Sequence, residues 1–148
     1  MDLEYELREM TVDDIPSVIQ GEEDIFGDSL GFDMLYQEIT LNPYAHYFVL
    51  EINGNVEGYI GTWIEEDHSE LINFYVTKDY QNMGFGSMML EFIIALVKSV
   101  KCKVLSLEVR VSNKKAIRLY KNFGFTESHI RKEYYSNHED AIVMILEV

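Results

Sequence analysis

The stretch ELINFYVTKDYQNMGFGSMMLEFIIALVKSV, residues 70–100, decides how the rest of the chain is read. Leu71 to Val76 is rich in apolar and aromatic residues and predicts a buried strand. Lys78-Asp79-Tyr80 breaks that pattern, and Gly84 and Gly86 follow in the run Gln81-Asn82-Met83-Gly84-Phe85-Gly86-Ser87. Met89, Ile93, Leu96 and Val100 then recur at helical spacing and predict one apolar face of a long helix. A strand that enters a helix through such a loop is either a tight connection or an anion site. The amides of a helix's first turn have no intrahelical acceptor, and the helix dipole adds partial positive charge there. Glycines let the backbone approach a phosphate closely. The two glycines alone leave both readings open.

Downstream, Val104 to Val111 alternates, with Leu105, Leu107, Val109 and Val111 on one face and Ser106, Glu108 and Arg110 on the other. On its own terms Glu108 is a solvent-facing carboxylate of a half-exposed strand. Asn113 is a good N-cap for a following helix that carries Ala116, Ile117, Tyr120 and Phe123 and ends at Gly124. Tyr120 alone reads as a core aromatic.

Together these stretches resemble the GNAT family of acetyl-CoA-dependent N-acetyltransferases, whose phosphate loop has the form Q/R-x-x-G-x-G/A. Gln81, Gly84 and Gly86 match it at the right spacing. The Leu107-Glu108-Val109-Arg110 run, Ser112-Asn113, Leu119-Tyr120-Lys121, Gly124-Phe125, Arg131-Lys132, Tyr134-Tyr135 and Glu139-Asp140-Ala141 resemble the RimI branch. That branch acetylates the N-terminal alanine of a small-subunit ribosomal protein. The resemblance is close from Leu71 to the end and weak before it.

The resemblance implies an α/β (α+β) fold: a mixed, mostly antiparallel sheet of about seven strands, splayed between the fourth and fifth and flanked by about four helices. It implies acetyl-CoA as cosubstrate, with the phosphates on Gln81, Asn82, Met83, Gly84, Phe85, Gly86 and Ser87. The pantetheine arm would lie against backbone groups of Phe74, Tyr75 and Val76, with Asn113 and Tyr120 completing the coenzyme site. Glu108 matches the general base, directly or through one water, and Tyr120 the general acid that protonates the coenzyme sulfur. A departure is Asn82, where the loop commonly carries arginine; Lys78 or Arg118 would have to compensate.

Length and composition bound these expectations. A chain of 148 residues is one domain, 1–148, and 47% hydrophobic content with two prolines argues against disorder. The single cysteine, Cys102, excludes an internal disulfide and leaves no cysteine pair for a metal site. No apolar run approaches the ~20 residues that span a bilayer, and the N-terminus has no basic, apolar leader. A soluble cytoplasmic protein without a metal is expected, with a monomer as the default state.

The net charge of −14 is unevenly spread. Residues 1–77 hold one basic residue, Arg8, against 18 acidic ones, whereas residues 78–148 hold 11 basic against 8 acidic. An acidic chain repels nucleic-acid backbones, so direct DNA or RNA binding is discounted. The asymmetry fits an anionic ligand on the second half, near Lys114, Lys115, Arg118 and Lys121, and a cationic one on the first. A basic N-terminal peptide of a ribosomal protein satisfies the second requirement; so does a polyamine. A plain solvated acidic surface, or a non-catalytic acyl-CoA-binding module, are the remaining alternatives.

The first half reads as follows. Tyr5 to Met10 predicts a strand. Thr11 is a plausible N-cap, with Asp13 and Asp14 favouring the dipole and Ile15, Val18, Ile19 and Ile25 on one face. Gly27 and Gly31 interrupt before a short helix with Met34, Leu35, Ile39 and Leu41, which ends near Asn42-Pro43. In the acetyltransferase layout this two-helix segment overhangs the acceptor site, so Glu22, Glu23, Asp24 and Asp28 are expected to attract a basic peptide. His46–Ile52 and Val56–Ile64 are strands joined at Asn53-Gly54-Asn55, a strong hairpin signal. At the other end, Thr126–Tyr135 and Ala141–Val148 predict a hairpin, with His138 an ordinary loop residue.

N-acetyl transfer needs a neutral amine, a held thioester and a proton for the departing thiolate. An α-amino group, with a pKa near ~7.7–8.0 against ~10.4 for lysine, needs only modest base assistance. No Ser-His or Cys-His arrangement is evident, so direct attack in a ternary complex is expected.

Overall fold

The computed structural model describes residues 3–148. Its elements are β1 (Tyr5–Glu9), α1 (Ile15–Phe26), α2 (Phe32–Thr40), β2 (Ala45–Ile52), β3 (Asn55–Ile64), β4 (His68–Val76), α3 (Phe85–Ser99), β5 (Val104–Arg110), α4 (Lys114–Asn122), β6 (Thr126–Arg131) and β7 (Ala141–Glu147). The strands form one mixed sheet in the order β1-β2-β3-β4-β5-β7-β6. The chain divides into two compact units, one of residues up to Trp63 with Ile72–Ile93, the other of Ile64–Leu71 with Ile94–Val148.

In the first unit, Asn53 (φ 50°) and Gly54 (φ 85°) supply the two left-handed residues that a tight β2–β3 hairpin requires. The core gathers Met10, Ile15, Val18, Leu35, Tyr47, Val49, Tyr59 and Tyr75, with Ile19, Ile25 and Ile39 packed against it. Thr11 leads into a 3-10 turn, Val12–Asp14, before α1. Asp14 is more than a dipole partner. It is buried, accepts two 2.9 Å hydrogen bonds from the Arg8 guanidinium and a third from the Thr11 N–H. The Arg8 hydrogen bond holds its carboxyl below the usual range.

Glu22 corrects an expectation. It is fully buried, and accepts from the Tyr59 hydroxyl (2.7 Å), the Asn73 side-chain amide and the Leu30 N–H. It therefore joins the segment around α2 to β3 and β4 instead of facing an incoming peptide. Burial raises its pKa. Glu38 does the same on α2, accepting from the Tyr47 hydroxyl, Trp63 Nε1 and Asn42 Nδ2. Only Glu23, Asp24 and Asp28 of the proposed acidic group are exposed. The α2 face also differs: Leu35 is buried, but Met34 and Leu41 are exposed, beside Phe32 and Tyr36, whose rings stack.

The buried line of α3 runs through Met89, Leu90, Ile93, Ile94 and Val97, while Val100 is 52% exposed. Val100 lies beyond the last helical residue, and Lys101 (φ 60°) turns the chain away.

In the second unit, β4 and β5 run parallel in the register His68↔Val104 to Leu71↔Leu107, and the Ser69 hydroxyl donates to the Val104 carbonyl at 2.7 Å. β5 and β7 pair antiparallel along their full lengths, and β6 adds to β7 as an exposed edge. The Asn113 side chain accepts from the Ala116 N–H at 3.2 Å and caps α4, which Gly124 (φ 98°) closes. The sixth strand stops at Arg131, four residues short of its expected end. Glu133 takes φ 50° and donates its N–H to the Asp140 carboxylate at 2.9 Å, so Tyr134 and Tyr135 sit in the connection to β7.

Glu22→Ala removes the acceptor of three donors, each costing about 1–3 kcal/mol when buried unpaired. A loss of about 3 kcal/mol in unfolding free energy is expected by urea titration, against less than about 0.5 kcal/mol for the exposed neighbour Glu23→Ala.

Candidate active site

The loop after β4 is built by backbone conformation. Gly84 has φ 88° and Asn82 φ 63°, both left-handed. A Cβ at Gly84 would meet nothing within 4 Å, so the dihedral and not space demands glycine. Asparagine is among the few other residues that adopt this conformation readily, which gives Asn82 a conformational reason for its place. Gln81 Nε2 donates to the Val76 carbonyl at 2.8 Å and pins the loop to the end of β4. Met83 is exposed, while Phe85 is buried and meets Tyr5 and Tyr80 edge-on, anchoring the start of α3.

The Met88 N–H is bonded to the Gly84 carbonyl at 3.0 Å, the first backward bond of the helix. The amides of Phe85, Gly86 and Ser87 are thus first-turn donors with no intrahelical acceptor. This is the backbone arrangement that accepts a phosphate.

Within β4, the Tyr75 ring is buried against Phe26 and Tyr59, and its hydroxyl donates to the Val18 carbonyl. Gly21 makes room for it, because a Cβ there would collide with the Tyr75 hydroxyl. Val76 is buried as well. The Phe74 N–H is already taken, donating to Asn73 Oδ1 at 3.0 Å. Buried Glu22 holds the other end of that amide, and thereby orients it.

In the second unit, Glu108 is not the solvent-facing carboxylate that strand alternation suggests. Its side chain is 14% exposed, with Arg131 Nε 3.6 Å from its Oε1. Glu70, which neither strand alternation nor the motifs single out, lies on the same sheet face of the neighbouring strand, one step along the parallel register. Burial, followed by the charge of Glu108, pushes the Glu70 carboxyl up to about 7, with Arg131 opposing. The one available signal was the parallel pairing of two strands that each carry a glutamate, and pairing partners are not visible in a single sequence.

Tyr120 is buried on α4, with its ring 5.6 Å from that of Phe125. Burial, and to a lesser degree Tyr135, raises its pKa well above the ordinary phenol value. The motif residues beyond β6 are structural staples. Arg110 pairs with Glu139 at 3.2 Å and lies over the Tyr135 ring, and Glu139 accepts from the Ser112 N–H. They fix the connection that carries Tyr134, whose ring Arg131 approaches.

A family profile described as "Acetyltransferase (GNAT) family" matches residues 8–125. The chain belongs to the GNAT acetyltransferase family. Among relatives, this acetyltransferase is 40% identical over 139 residues to a Bacillus subtilis (strain 168) protein provisionally named a ribosomal protein bS18-alanine N-acetyltransferase, covering 93% of this chain and 92% of that one. The Escherichia coli (strain K12) ribosomal protein bS18-alanine N-acetyltransferase is 39% identical over 104 residues, 68% of this chain and 70% of its own. The crystal structure of the S18-alanine N-acetyltransferase from Escherichia coli superposes with a TM-score of 0.89 at 30% identity, covering 98% of this chain and 94% of that one. Ard1 from Thermoplasma volcanium does so with a TM-score of 0.88 at 25% identity, over 97% of each chain.

The acetyltransferase therefore has the mixed seven-stranded sheet, with β4 parallel to β5, that the family resemblance implied. Among its described residues there is no cluster of three or more His, Cys, Asp or Glu able to hold a metal ion, and no helix is long and apolar enough to cross a membrane.

Gly84→Ala is expected to cost about 1–2 kcal/mol in thermal unfolding, the penalty of a left-handed L-residue, while Asn82→Gly changes stability by less than about 0.5 kcal/mol.

Proposed function

We propose that this acetyltransferase moves the acetyl group of acetyl-CoA to the α-amine of the N-terminal alanine of ribosomal protein bS18, by direct attack in a ternary complex. The observation that carries the reading is a half-buried glutamate on β5 and a buried tyrosine on α4, in a chain matched almost end to end by relatives named for that reaction.

The residues divide the work. The first-turn amides of Phe85, Gly86 and Ser87 hold the pyrophosphate, on a loop shaped by Gln81, Asn82, Met83 and Gly84. Backbone groups of Phe74, Tyr75 and Val76 hold the pantetheine arm. Asn113 uses its Oδ1 on the α4 cap, which leaves its Nδ2 for the coenzyme. The amine nitrogen attacks the thioester carbonyl, the C–N bond forms, the C–S bond breaks, and the amine's proton passes to Glu108. Tyr120 stays protonated throughout the neutral range and donates its hydroxyl hydrogen toward the sulfur as charge develops there. Because burial holds it above a thiol's ordinary ~8.5, this hydrogen bond precedes any complete transfer.

Exposed Glu23, Asp24 and Asp28 supply an acidic approach for a basic peptide. The same charge would suit a polyamine, so the two acceptors are tested side by side. A ribosomal substrate implies a cytoplasmic site of action, a monomer of one domain suffices for the reaction, and no direct contact with nucleic acid is invoked.

With a basic peptide that begins with alanine, kcat/KM is expected to exceed that for spermidine at least tenfold, and to fall about 10²–10⁴-fold in Glu108→Gln and in Tyr120→Phe. Equal turnover of spermidine would reassign the acceptor; full activity in both variants would remove the assigned roles.

A further inference from the structure

We propose that Glu70 and Glu108 act as one proton acceptor, a carboxyl pair that takes a proton directly from the acceptor's α-ammonium group. The inference rests on the reading of Glu108 as the base and adds a residue to it. Its ground is geometric. The parallel register sets Glu70 against Ser106 and Leu71 against Leu107, so Glu70 and Glu108 lie on the same sheet face one step apart. Burial and the nearby charge of Glu108 both raise the Glu70 carboxyl, so the two carboxylates resist ionising together. Arg131 from β6 stands beside Glu108, with Tyr134 near Arg131. Arg110 and Glu139, the next charges along the sheet, are committed to each other.

The pair removes a mismatch that a single carboxylate faces. An α-ammonium with a pKa near ~7.8 gives its proton to an ordinary glutamate, near ~4.3, against a gradient of roughly 10³-fold or more. Beside Glu108, and through burial first, the Glu70 carboxyl is pushed up to about 7. The same transfer then runs against only about tenfold. The step balances: R–NH₃⁺ and the dianionic pair give R–NH₂ and a monoanionic pair with one proton between the two carboxylates. The amine then attacks the thioester: the C–N bond forms, the C–S bond breaks, and the nitrogen's second proton goes to the departing sulfur, giving the amide and the free coenzyme A thiol. In the reverse sense, a pair already holding its proton cannot take another easily, so activity is lost as pH falls through about 7.

The test combines infrared difference spectra of the free enzyme between about pH 5.5 and 8.5 with kcat/KM profiles, for wild type, Glu70→Gln, Glu70→Asp and Glu108→Gln. One peptide is used throughout, so that the amine's own ionisation is common to all. The wild type is expected to show a protonated-carboxyl band lost near neutrality, and an acid limb in rate at the same pH. Glu70→Gln is expected to abolish the band, move the limb to lower pH by at least about one unit and lower the rate at neutral pH at least tenfold; Glu70→Asp restores part of each.

A neutral band that persists in Glu70→Gln, or a rate profile that overlays the wild type, overturns the pair. If Glu108→Gln is then inactive, the base survives alone. An unchanged rate in Glu108→Gln overturns the base and the pair's role together, whatever the infrared band shows.

Discussion

Four parallel residue pairs between β4 and β5, His68↔Val104 to Leu71↔Leu107, set the constraint on which the second unit's chemistry depends. β5 is strictly alternating, with Leu105, Leu107 and Val109 buried on one face. A one-residue slip would turn those side chains out and drive Ser106, Glu108 and Arg110 inward, so the hydrophobic pattern locks the register. The register in turn brings Glu70 beside Glu108. Full-length pairing of β5 with β7 on its other edge, and the Arg110–Glu139 staple at its end, remove the remaining freedom. Packing thus brings two like charges together that would otherwise separate, and together with burial this raises the Glu70 carboxyl.

The acidic composition takes on a different meaning once the carboxylates are placed. Asp14 is paired with Arg8, Glu22 and Glu38 are internal acceptors, and Glu70 and Glu108 lie one step apart on the same sheet face. Only the remainder makes a solvated acidic surface. The buried acceptors Glu22 and Glu38 tether α1 and α2 to the strands beneath, and Glu22 also orients the Asn73 amide that occupies the Phe74 N–H. Groups that lower the net charge therefore also set the backbone beside the proposed coenzyme arm.

Features specified by neighbours in sequence were legible before the structure. Asn53-Gly54 announced its hairpin, Asn113 its cap, and the alternation of β5 its two faces, because each depends on residues a few positions away. Gly84 was legible as a loop glycine, though only the backbone shows that its φ, and not Gly86's, requires one. Features that depend on distant partners were not. Glu22, next to Glu23 and Asp24, reads as part of a charged helix face; its acceptor role needs Tyr59 and Asn73, 37 and 51 positions away. Glu70 was hidden for the same reason. The end of α3 failed differently: Val100 keeps the helical spacing but lies past the helix's last turn, where periodicity carries no information.

The central claim is that an α-amine, not a side-chain amine, receives the acetyl group. It is tested most directly by incubating the enzyme and acetyl-CoA with a peptide that starts with alanine and contains an internal lysine, then locating the acetyl group by tandem mass spectrometry. The account predicts acetylation of the N-terminal nitrogen and an unmodified lysine, because an α-amine near ~7.7–8.0 is neutral far more often near neutral pH than a lysine near ~10.4. Acetylation of the lysine in preference to the N-terminus would contradict it.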